Sequence, residues 1–133
     1  MSGIERVYQF IDEAVTYYLA TMDGDQPRVR PFGTILLNDG KLYIQTGKSK
    51  DVSKQINANP KVEICAFKDG KWLRVAGELV NDDNHDVKVA MLEKMPSLKG
   101  MYSADDDNMQ MLYIMNAKAT FSSFTEAPET VEI

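Results

Sequence analysis

The sequence predicts a mostly β domain: six antiparallel strands closed as a small barrel, with helices at its periphery. Two observations carry this. Short apolar runs with a period of two are joined by Asp-Gly turn signals, as at Asp23-Gly24 and Asp69-Gly70, so hairpins dominate. The order of elements is helix, three strands, helix, two strands, helix, strand, without the strand–helix alternation of a doubly wound parallel sheet. Six antiparallel strands leave bare edges unless the sheet closes or is covered, and a barrel does both.

"SGIERVYQFIDEAV" opens the chain as a helix. Ser2 and Glu5 have capping-box spacing, and Ile4, Val7, Tyr8, Ile11 and Ala14 share one face. "YYLATM" is the first strand, "PRVRPFGTILL" the second and "KLYIQT" the third. "SKDVSKQINAN" follows as a short helix with Ser49 as its N-cap and Pro60 as the stop beyond it. "KVEICAFK" and "KWLRVAGELV" form a hairpin, and "DDNHDVKVAMLEKM" is an amphipathic helix ended by Pro96. A polar loop including Ala104–Asn108 leads into a long last strand, "MQMLYIMNAKATFSSF", with Met109, Met111 and Met115 expected on one packed face. The acidic tail 125–133 is expected to be mobile.

The length fits one domain, residues 1–133. A net charge of −5 argues against a nucleic-acid partner. Cys65 is the only cysteine, which excludes an intrachain disulfide and fits a reducing cytoplasm. No segment approaches the roughly 20 apolar residues of a membrane span, and the N-terminus has no signal-peptide run. These features together predict a cytoplasmic protein without a membrane partner.

Against the acidic background, Tyr43–Pro60 carries Lys48, Lys50 and Lys54, opposed only by Asp51. "TGKS" imitates a Walker loop, but the glycine required five residues before Gly47 is Leu42, which excludes an ATPase of that type. A smaller anion site survives. A strand ends at Thr46, Lys48 and Lys50 follow, and a helix N-terminus near Ser49 offers free N–H groups. The alternative is the solvated face of a short helix. Arg28 and Arg30 point the same way on their strand, with Phe32 on that face; Pro31 implies an edge and Gly33 leaves room for a close approach. Arginine pairs bidentately with phosphate; paired arginines on a sheet also simply face solvent. His85, the only histidine, could ligate a metal with Asp82, Asp83 or Asp86, but is read as an exposed polar residue at a helix start. Cys65 is read as a buried strand residue.

Three segments in this order, "YYLATMDGDQPRVRPFG", "LYIQTGKSKDVSKQINANPKVEI" and "WLRVAGEL", resemble the FMN-binding split-barrel family related to pyridoxamine 5'-phosphate oxidase. The likeness is to its small nitroimidazole-resistance and general-stress members. The resemblance implies a six-stranded split barrel that forms a homodimer with FMN between subunits. Arg30 matches the arginine that reaches the FMN phosphate, and Lys50 the lysine before the short helix. Lys48 sits at a second basic position beside Ser49, and Arg28 shares Arg30's face. Gln45 and Thr46 match the strand end that lines the site. Pro31, Phe32 and Gly33 match the segment along the isoalloxazine ring, and Trp72 falls at a flavin-contacting position. No arginine follows Arg74, so the oxidase's C-terminal substrate-binding arginine segment is missing, which argues against vitamin B6 oxidation. The implied function is an FMN oxidoreductase passing electrons from a reduced nicotinamide nucleotide to a small electrophile. A non-catalytic flavin-binding, electron-transfer or stress-sensing role, or haem or deazaflavin in the same fold, are the alternatives.

Overall fold

The Ser2 capping box forms as the spacing predicts, and helix α1 (Gly3–Ala14) starts there, with Val7 and Ile11 fully buried. In the computed structural model, which describes residues 1–133, β1 (Tyr17–Asp23) and β2 (Gln26–Phe32) follow as a hairpin. Then come β3 (Leu36–Asn38), β4 (Lys41–Gly47), α2 (Asp51–Ala58), β5 (Lys61–Lys68) and β6 (Lys71–Asn81). Helix α3 (His85–Lys94) and a 3-10 turn (Pro96–Gly100) precede β7 (Met109–Ser123) and β8 (Glu129–Glu132).

The strands make one antiparallel sheet in the order β2-β1-β5-β6-β7-β4-β3, with β8 on β7. β2 and β3 stand at opposite edges, yet only residues 33–35 join them. Laid flat, seven strands would hold their edges about 29 Å apart, at roughly 4.8 Å per interval. Four extended residue steps reach only about 14 Å. The sheet must therefore curl until its edges nearly meet, which is a barrel split along one seam.

The seam is pinned. Tyr17 donates its hydroxyl to the Thr34 carbonyl across 2.7 Å, and the Thr34 hydroxyl bonds both the N–H and the carbonyl of Gln45, at 3.0 and 3.1 Å. This breaks the expected strand "PRVRPFGTILL" into β2 and β3.

A second departure is the tail. β7 pairs with β4 through Met109–Tyr113, and farther along the same side with β8 through Lys118–Phe121. The tail thus takes up the edge that β4 vacates, and Arg6 fastens it by a two-pronged contact with Glu129 at 2.9 and 3.0 Å. The strands therefore number eight, where six were expected.

The core has two parts. Val7, Ile11, Leu19, Ile64, Leu73 and Val75 fill the barrel under α1 and α2. Tyr43, Met91, Tyr102, Met109 and Met111 pack beneath α3. Met115 keeps the face of Met109 and Met111 by alternation but stays outside their packed cluster and is 41% exposed, so the expected methionine stripe is buried only in its first part.

Candidate functional site

β2 is an edge strand, so its residues lack a neighbour on one side. Register places Arg28 opposite Thr21, Arg30 opposite Leu19 and Phe32 opposite Tyr17. The β1 partners are buried, so this face of β2 turns inward, toward α2. Pro31 lies on the other face opposite Tyr18, where its missing N–H costs no ladder bond on an edge.

Arg30 is held at three points. Nη1 donates to the Leu19 carbonyl at 3.1 Å and to Thr21 Oγ1 at 2.7 Å, and Nη2 donates to Gln55 Oε1 at 2.7 Å. Thr21 closes the triangle by donating to the same Gln55 oxygen at 2.6 Å. All three partners are neutral. Burial, and then the charge of Arg28, hold the Arg30 pKa below its ordinary value, yet an arginine stays charged. A half-buried guanidinium without a carboxylate is a site prepared for an anion.

Lys50 supplies the second cation. It occupies the N-cap position of α2 in extended conformation, and no side chain caps the helix. This corrects the expectation for Ser49, which lies one residue too early and whose N–H is taken by Asn108 Oδ1 at 3.0 Å. The first N–H groups of α2 are therefore open to a ligand. Lys50, Asp51, Val52 and Gln55 of α2 face Asp23, Arg28, Val29 and Arg30 across a cleft of about 470 Å³. Arg28 Nε lies 3.2 Å from Asp23 Oδ2, so its charge is partly met, and Arg30 and Lys50 are the cations left without an acidic partner.

The remaining expected site residues are distributed more widely. Phe32 rests half-buried on Tyr17, ring centroids 5.9 Å apart, and Gly33 is exposed at the end of β2. Gln45 and Thr46 are buried, with the Gln45 amide donating to the Thr46 carbonyl at 2.9 Å. Lys48 Nζ reaches Asp83 at 3.7 Å and does not line the cleft. Trp72 lies on the outer face of β6, 5.0 Å from Phe124, also away from the cleft. Thr21 and Gln55 are cleft-side residues that sequence reasoning missed. The link between them needs α2 docked on β1, and nothing local encodes it.

Other chemistry-bearing residues are engaged elsewhere. His85 is exposed at the start of α3, 3.1 Å from Asp105. Cys65 is half-buried on the outer face between Tyr18 and Arg74, not buried as expected. A second groove of about 380 Å³ runs between α1 and the β7–β8 hairpin over Phe10 and Phe121. Its Arg6 and Glu13 already pair with Glu129 and Lys68. No helix is long and apolar enough to cross a membrane.

Comparison with known proteins agrees with this architecture. The family model for pyridoxamine 5'-phosphate oxidase matches residues 4–126. A NimC/NimA family protein from Clostridium acetobutylicum is 46% identical, with a TM-score of 0.93 over 96% of this chain and 90% of that one. General Stress Protein 26 from Bacillus anthracis superposes with a TM-score of 0.75 at 20% identity, covering 99% of this chain and 100% of that one. A pyridoxamine 5'-phosphate oxidase-related, FMN binding protein from Nostoc punctiforme gives 0.70 at 16% identity, covering 98% and 95%. Curated protein sequences give no match. The chain therefore belongs to the pyridoxamine 5'-phosphate oxidase family of split barrels, which includes FMN-binding proteins.

Proposed function

We propose that this chain is an FMN-binding flavoprotein and an oxidoreductase. The observation that carries the reading is Arg30: a half-buried guanidinium, bonded only to neutral groups, facing Lys50 and an uncapped helix start. Arginine, ammonium and helix N–H donors together suit a phosphate monoester. The Nostoc relative, described as FMN binding, supports FMN as its bearer.

Bound flavin would supply reversible electron and hydride transfer. The chain's own residues hold the phosphate and orient the ring. Arg30 and Lys50 neutralise the phosphate, Thr21 and Gln55 fix the guanidinium, and the segment Pro31–Gly33 gives the ring an edge. Each charge-assisted hydrogen bond contributes roughly 1.5–3 kcal/mol, and micromolar binding needs about −8.2 kcal/mol in all. A reduced nicotinamide nucleotide is the proposed donor and a small electrophile, a nitro compound or quinone, the proposed acceptor.

We place a second copy of the chain on the outer face of the sheet. Register sets Tyr18, Val29, Phe67 and Trp72 on that face, and Phe124 packs on Trp72. Tyr18 is 50%, Val29 68%, Phe67 59% and Phe124 83% exposed, which is unusual for large apolar side chains unless a partner covers them.

The test is the purified protein's absorption spectrum and its thermal stability with added FMN. Flavin bands and FMN released on denaturation support the reading, and saturation at 100 times Kd should stabilise by about 2.7 kcal/mol. A colourless protein unmoved by FMN sinks it, and a haem spectrum replaces it. Oxidation of NADH or NADPH with nitroaromatics or quinones then tests turnover. A flavin that stays oxidised under both nucleotides leaves a binding protein without catalysis.

A further inference from the structure

The polar loop before β7 reads in the sequence as solvated, yet it grips the anion-binding segment. Asp106 first folds the loop on itself: its carboxylate accepts N–H bonds from Ser103 at 2.7 Å, Asn108 at 2.9 Å and Met109 at 2.7 Å. These bonds hold its pKa below the usual carboxylate range, the Met109 N–H contributing most. Asn108, fixed in this way, takes two successive N–H groups of the β4–α2 connection. Lys48 donates to its carbonyl at 2.7 Å, and Ser49 to its side-chain Oδ1 at 3.0 Å. The next N–H, of Lys50, goes to the Gly47 carbonyl at 3.0 Å.

Gly47 itself has no room for a side chain. A Cβ there would stand 2.9 Å from the Tyr102 hydroxyl and 3.0 Å from Asn108 Nδ2. Two residues along β7, Gln110 accepts a buried hydrogen bond from Ser53 of α2 at 2.6 Å. A strut from α3 completes the support: Asp83 lies 2.5 Å from Lys88, which is buried, and 3.7 Å from Lys48. The N–H groups of residues 48–50 are thus consumed by protein acceptors. An anion in the cleft is left with side chains and the first turn of α2, whose position the start of β7 sets.

We propose that Asn108 is a positioning residue for the phosphate site. It does not line the cleft; it sets where Lys50 and the first turn of α2 stand relative to Arg30. The inference rests on the FMN reading and adds a residue to it, far along the chain from Arg30 and Lys50.

The experiment compares FMN and riboflavin binding to the full chain by quenching of flavin fluorescence, because only FMN has the phosphate. Asn108→Ala should weaken FMN about tenfold and riboflavin less than twofold. The Asn108→Ala/Lys50→Ala pair should lose less FMN affinity than the two single losses combined, because Asn108 acts in part through the loop that bears Lys50. Asn108→Asp keeps an acceptor for the Ser49 N–H and should retain most of the FMN affinity. Equal losses for both flavins, or additive losses in the pair, would overturn the positioning role. Should Asn108→Ala fail to fold, Asn108→Ser carries the same comparison. A wild-type protein that binds FMN no better than riboflavin removes the phosphate reading itself, and the role of Asn108 with it. Wild-type preference for FMN together with an unchanged ratio in Asn108→Ala removes only the latter.

Discussion

Arg30 on β2 and Gln55 on α2 are joined by a 2.7 Å hydrogen bond that crosses from the sheet's edge to the helix beside it. Gln55 Oε1 also accepts from Thr21 at 2.6 Å, so one amide oxygen locks a strand arginine, a neighbouring strand and a helix together. The guanidinium is thereby oriented before any ligand arrives, which lowers the ordering cost of binding.

Removing the lock should cost affinity in proportion to what it orients. Gln55→Ala is expected to weaken FMN about tenfold, and Arg30→Ala by roughly 10–100-fold, the equivalent of about 1.5–3 kcal/mol for a charged hydrogen bond. Arg30→Lys should not rescue, because an ammonium cannot reach Leu19, Thr21 and Gln55 as the fork does. Titration of flavin fluorescence reads all three, and full affinity in Arg30→Lys would show that only its charge matters.

Lys50→Ala should discriminate between flavins. It removes a cation from the cleft without touching the barrel core, so FMN should weaken several-fold while riboflavin holds. Equal losses would place Lys50 away from the phosphate.

Gly77 tests the curvature of the sheet. A Cβ at this position would come 2.9 Å from Ala117 Cβ and 3.0 Å from the Met115 carbonyl, beside the register shift of β6 against β7. Gly77→Ala should destabilise by about 1–3 kcal/mol. Each kcal/mol should lower Tm by about 3–6 °C in a chain of this size. Calorimetry measures it, and an unchanged Tm would mean that the strands can part at no cost.

Acid should loosen the loop before β7. The folded pKa of Asp106 is depressed by its N–H bonds, so its contribution is complete above the unfolded value of about 3.9 and fades as pH falls through the folded value. Asp83, depressed mainly by its bond to Lys88, acts in the same direction. Asp106→Asn should be less stable than wild type at pH 7, and the gap should close as pH drops from about 5 toward 2. Urea midpoints across that range give the answer; a gap that widens in acid would contradict the assigned bonds.

The outer face predicts the oligomeric state. The double variant Tyr18→Glu/Phe67→Glu puts two charges on exposed aromatic positions outside the cleft and should shift a dimer to monomer by light scattering. A wild type that is already monomeric would remove the proposed partner.

Much of this protein was legible in local pattern. The Ser2 capping box, the hairpin turns, the strand of Arg28 and Arg30 and the strand residue Leu42 in place of a Walker glycine all rest on neighbours a few residues apart, where sterics and period decide the outcome. The cleft pairing of Arg30 with Lys50 was likewise expected, from a strand and a helix start that each announced a cation. Other features were settled by contacts between segments distant in the chain. Lys48 turned to Asp83 because Lys88 of α3 holds that carboxylate beside it. The tail became β8 because β7 outruns β4 and leaves an unpaired edge. Gln55, Thr21 and Asn108 gained their roles only when α2 and the start of β7 closed around the seam. Hydrogen bonds of this kind depend on which groups burial brings within 3 Å, and no period or spacing in the sequence specifies that.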